Sequence, residues 1–164
     1  MQTKGSVDRR SRLIVAVAIA ALAAGCGGGG DDAAKKDAAK FRSGAKAATT
    51  ETTKIGTDLG TAVQAARNQT DAALAATFTD LASRARAVVA DLNALDPPDP
   101  SRAKVNALVS ALGTGAQDLD AIAAAARAHD ASSARSATET LGRDSPAIKA
   151  AKDALDPELK KNAK

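Results

Sequence analysis

A chain of 164 residues has room for one domain and a short export segment. Hydrophobic residues make up 45% of it but aromatics only 1%, Phe41 and Phe78 being the sole rings, so alanine carries most of the apolar content and the core should be thin. The formal charge of +4 does not indicate a nucleic-acid binder: residues 1–25 hold Lys4, Arg9, Arg10 and Arg12 against Asp8, the rest balances 19 basic against 18 acidic groups, and no basic cluster or aromatic stacking platform is present.

Residues 1–12 form a basic leader, followed by the uninterrupted apolar run Leu13 to Ala24 and then Gly25 and Cys26. This is the order of a signal peptide. As a helix the run would span about 18 Å, short of a hydrocarbon core of about 30 Å, so a permanent transmembrane segment is not expected. Cys26 is the only cysteine and therefore has no internal disulfide partner.

The string Leu22-Ala23-Ala24-Gly25-Cys26 resembles the bacterial lipobox, with Ala23 where leucine is commonest. The resemblance implies a diacylglyceryl thioether on Cys26, cleavage between Gly25 and Cys26, and acyl anchorage, palmitate being the expected chain. Two chains hold a protein on a membrane where one is marginal. Residues 1–25 are then the signal peptide, 26–33 the lipidated cysteine and a flexible tether through Gly27 to Gly30 and Asp31-Asp32, and 34–164 the folded part.

From Asp32 onward apolar residues recur at steps of three and four, the helical period. A first helix is predicted from about residue 34 to 67 with the seam Phe41, Ala45, Ala48, Thr52, Ile55, Leu59, Ala62 and Ala66. The cluster Thr49 to Thr53 with Gly56 and Gly60 should kink or fray it. Thr70 and Asp71 open a second helix with the seam Leu74, Phe78, Leu81, Ala85, Val88, Leu92 and Leu95, stopped by Asp96-Pro97-Pro98-Asp99-Pro100. Asp99 should cap a third, running through Val105, Leu108, Leu112, Gly115, Leu119, Ile122, Ala126 and His129. Asp130 should cap a fourth, carrying Ala134, Ala137, Leu141, Ile148, Ala151 and Leu155, with Gly142 and Pro146 bending or splitting it.

Four helices with short links predict an all-α fold, an up-down-up-down four-helix bundle, with a dimerising helical hairpin as the alternative. The lipobox, the glycine tether, the helical chain and the turn Leu92-x-x-Leu95-Asp96-Pro97-Pro98 together resemble small uncharacterised helical lipoproteins of high-GC Gram-positive bacteria. That resemblance implies no activity.

Chemistry-bearing residues are sparse. His129 is the only histidine, which removes multi-histidine metal sites, and no Cys-x-x-Cys-His haem attachment exists, so no metal and no cofactor are expected. Asp130, Ser132 and Ser133 lie beside His129, but catalytic triads assemble from distant segments, and a helix-terminal histidine next to a capping aspartate is the simpler account. Asp118 and Asp120, two apart on a helix, should diverge. Gly56 and Gly60 are spaced for close helix approach, with Gly113 and Gly115 opposite.

The sequence thus predicts a non-enzymatic, extracytoplasmic lipoprotein on the outer face of the cell membrane, with a structural or interaction role and an envelope protein as partner. The alternative is a module that carries an apolar molecule or lipid between its helices, in a pocket lined by Phe78, Leu81, Leu108 and Leu112.

Overall fold

The computed structural model describes residues 29–160, so the leader, the Gly25–Cys26 junction and the last four residues lie outside the described residues. All described regular structure is helical: α1 (Gly29–Ala65), a 3₁₀ turn (Ala66–Asn68), α2 (Asp71–Asn93), α3 (Asp99–Arg127) and α4 (Ala131–Lys160). The helices pack in chain order. α3 sits centrally against α2 and α4, whereas α1 leans on α2 and touches α4 only lightly.

Four expectations need correction. Helix α1 begins at Gly29, so residues 29–33 of the expected tether are helical; Ala33 and Ala34 favour helix. Helix α1 is not interrupted at the threonines, whose hydroxyls bond back along it: Thr50 to Lys46 O at 2.8 Å, Thr52 to Ala48 O at 2.8 Å and Thr53 to Thr49 O at 3.0 Å. Helix α4 is not split, since Pro146 and Pro157 both lie inside it. Ser145 Oγ donates to Leu141 O at 2.6 Å beside the amide gap that Pro146 leaves. The N-cap of α3 is Pro98, which makes no side-chain cap bond, with Asp99 already in the first turn.

The other caps form as the residue types dictate. Thr70 accepts from Ala73 N at 3.3 Å, and Asp130 Oδ1 accepts from Ser132 N and Ser133 N, both at 3.0 Å.

The core follows the predicted seams closely. Phe41, Ala45, Ala48, Ile55 and Ala62 of α1 meet Phe78, Leu81, Ala82, Ala85, Val88 and Leu92 of α2, with Val105, Leu108, Leu112, Ala116, Leu119 and Ile122 of α3 behind. From α4 only Leu141 and Leu155 are fully buried. Large side chains are few, so close approach does part of the work. A Cβ on Gly44 would fall 2.5 Å from Leu95 Cδ2, and one on Gly115 would fall 2.8 Å from Ile148 Cδ1.

Candidate functional site

Because α1 packs on α2 and α3 packs on α4, the fourth side of the bundle, between α1 and α4, is left open. A cleft of ≈ 420 Å³ lies there, walled by Ile55, Leu59, Leu112, Leu119, Leu141 and Ile148, with Ala85 of α2 also lining it. Volumes of about 300–1,000 Å³ are usual for small-molecule sites. Gly56 and Gly60 line it too, and a Cβ at either would meet nothing within 4 Å. They widen this gap and mediate no helix contact, which corrects the expectation of close approach. Gly113 is likewise open, and Gly115 meets α4 instead of α1.

A second cavity of ≈ 360 Å³ lies at the end where α1 and α3 finish and α2 and α4 begin, between Val63, Leu74, Phe78, Ile122 and His129. Its polar corner is built by a helix end. His129 holds the left-handed conformation, φ 53, while its amide donates to Ala126 O at 3.1 Å and that of Asp130 to Ala125 O at 3.0 Å. This is a Schellman ending with histidine where glycine is usual. The turn carries the imidazole out of the α3 seam, leaving its side chain 77% exposed; the predicted seam therefore ends at Ala126. His129 Nδ1 lies 2.6 Å from Asp71 Oδ2 on α2.

That geometry removes the triad. Asp130 Oδ2 accepts from Ser133 Oγ at 2.7 Å, and these bonds hold the Asp130 carboxyl below its usual range. The imidazole Nδ1 faces a different carboxylate, Asp71, so His129, Asp130 and Ser133 do not form one relay.

The acidic residues diverge as predicted. Asp120 pairs with Arg86 of α2, whereas Asp118 turns toward Asp144 of α4. Burial pushes the Asp118 carboxyl up, the facing Asp144 carboxylate pushes it further, and Arg143 opposes both. Its Oδ2 is buried with no hydrogen-bond partner among the described residues. Asp96 and Asp99 lie 3.7 and 3.6 Å from Arg102. Among the described residues no group of three or more His, Cys, Asp or Glu side chains is placed to hold a metal ion.

The four residues expected to line one apolar pocket share one core cluster but do not line a common cavity. Phe78 borders the His129 cavity and Leu112 the α1–α4 cleft. Leu81 and Leu108 border neither; both are sealed in the core. A pocket drawn along the seam is filled because seams pack, and the open space lies at the one helix pair that does not close. Cys26 and Gly25 lie outside the described residues.

Comparison with family models, curated proteins and solved structures finds no match. The described helices nonetheless constrain the reading, because none is long and apolar enough to cross a membrane. Sequence reasoning missed Arg84, which joins α1 to α2, as well as the Asp118–Asp144 pair and the position of the cleft. A signal for the last was present in Gly56 and Gly60, whose absent side chains leave one face of α1 unfilled.

Proposed function

We propose that the chain is an exported lipoprotein, held on the outer face of the cell membrane by lipid on Cys26, whose up-down-up-down helical bundle serves a non-catalytic role in the envelope. The observation that carries this reading is Leu22-Ala23-Ala24-Gly25-Cys26 closing the apolar run that begins at Leu13, behind a basic leader. Helix packing in chain order through short links supports the topology.

The test is cellular. Cys26→Ser should release the protein from diacylglyceryl modification, and intact-mass measurement of the wild type should show the leader removed and acyl mass at the new N-terminus. A bare sulfur on a chain that keeps its leader overturns the reading.

A second reading is favoured by one observation, the apolar α1–α4 cleft. In it the bundle carries an apolar molecule, with the anchor keeping the cargo site near the membrane.

A further inference from the structure

The cleft between α1 and α4 differs chemically along its length. Its body is hydrocarbon. The hydroxyls on its walls are committed to their own helices, Thr52 to Ala48 O, Thr53 to Thr49 O and Ser145 to Leu141 O. A polar body lying there would lose water and find no free hydroxyl proton in exchange.

The mouth is different. Thr53 and Lys152 line both the cleft and a neighbouring groove of ≈ 470 Å³ that also holds Lys46, Lys160 and Asp156. Lys149 lines the cleft and bonds Asp153, while Lys152 lies 3.3 Å from Asp153 and 3.0 Å from Asp156. Lys149 and Lys152 are thus paired with Asp153 and Asp156, and among the residues lining the cleft and the groove Lys46, Lys149, Lys152 and Lys160 outnumber Asp156. An apolar trough ending in a cationic mouth matches a molecule with an apolar tail and an anionic head. The α1 wall of the cleft, Thr52 to Gly60, runs about 12 Å, and the groove continues it to Lys46 for about 21 Å in all, roughly the extended length of a hexadecanoyl chain. At ≈ 420 Å³ the cleft has room for one such chain and not two.

We propose that the α1–α4 cleft binds a single-chain anionic amphiphile, a long-chain carboxylate, with its tail against Ile55, Leu119 and Ile148 and its headgroup among Lys46, Lys149, Lys152 and Lys160. The assignment rests on the reading of the cleft as a cargo site.

The experiment uses the full chain in its native membranes and two probes, hexadecanoic acid and hexadecanol, each with a mid-chain diazirine. Irradiation and peptide mapping should place the acid's adducts on residues 55–60 and 141–148. Gly60→Leu, which fills open space, should cut that labelling at least tenfold without lowering the melting temperature. The double variant Lys149→Glu, Lys152→Glu should cut acid labelling at least fivefold and leave alcohol labelling unchanged. Equal labelling by both probes, insensitive to the lysines, overturns the anionic assignment while the cargo reading stands. Absence of cleft adducts with either probe overturns both. Efficient labelling by a diazirine chain carried on phosphatidylglycerol, undiminished by excess hexadecanoate, overturns the single-chain assignment in favour of a membrane lipid.

Discussion

Nη2 of Arg84 lies 2.7 Å from Oε1 of Glu51, and through that contact α2 grips α1. Arg84 Nε reaches the same oxygen at 3.0 Å, and Nη1 reaches Asp58 Oδ2 at 2.7 Å. One guanidinium therefore spans two turns of α1. The contact fixes the wall of the cleft, because α1 has few other ties outside its apolar seam and only lightly touches α4.

Arg84→Met keeps the stem and removes both ion pairs to α1, together with the longer one to Asp80 of α2. Partly exposed pairs contribute about 0.2–1 kcal/mol each, so a loss of about 1 kcal/mol is expected in urea unfolding. Amide exchange should quicken in α1 more than in α3. Uniform quickening across all four helices would show that the clamp does not govern α1 separately.

The same clamp sets a pH dependence. Hydrogen bonding from Arg84 holds the Glu51 carboxyl below its usual range, with desolvation opposing and charge attraction from Arg84 and Lys54 adding to it. A depressed acid stabilises the fold above its unfolded pKa, and that stability is lost as pH falls through the folded value. Asp118 has the opposite sign. Its carboxyl is raised by burial and by Asp144, so its cost is fully present above the folded pKa and disappears as pH falls toward the unfolded one. Asp118→Asn supplies an amide donor for Asp144 and should raise stability at pH 7 by on the order of 1 kcal/mol. Its advantage should shrink toward pH 4. A gain that is equal at pH 7 and pH 4 contradicts the assignment.

Much of the fold is legible in the sequence for one reason: burial follows the three-four spacing. Leu81, Leu92, Leu108 and Leu155 occupy predicted seam positions and are the largest fully buried side chains. What spacing misses is how neighbouring groups offset a local penalty. Threonines in α1 and a proline in α4 read as breaks, yet both helices run through them, with Thr52 and Ser145 bonding back to carbonyls of their own helices. The cleft was hidden for a different reason. Seam residues name what will touch, and a ligand-sized space forms where a seam has no opposite member.

Glycine substitutions separate open positions from crowded ones. Gly56 and Gly60 face nothing within 4 Å, so Gly56→Ala and Gly60→Ala should each gain about 1 kcal/mol from helix propensity alone. Gly44→Ala and Gly115→Ala carry the same propensity gain but press on Leu95 Cδ2 and Ile148 Cδ1. Thermal melts should rank the first pair above the second. A reversed ranking would mean that α1 closes onto α4 in solution.

The thinness of the core makes its few large side chains disproportionately important. Leu108 and Leu155 are each 0% exposed, and Leu→Ala in a packed interior costs about 2–5 kcal/mol, the larger values where the site cannot collapse. Leu108 lies on the central helix between rigid neighbours on α2 and α4, whereas Leu155 lies on α4, the helix facing the open side. Leu108→Ala should therefore fall near the upper end of that range, and Leu155→Ala near the lower. Since domains of this size are stable by only about 5–15 kcal/mol, Leu108→Ala should lower the urea midpoint steeply with little change in slope. A larger loss at Leu155 would place the tightest packing at the α1–α4 side, and the cleft would then be closed in solution.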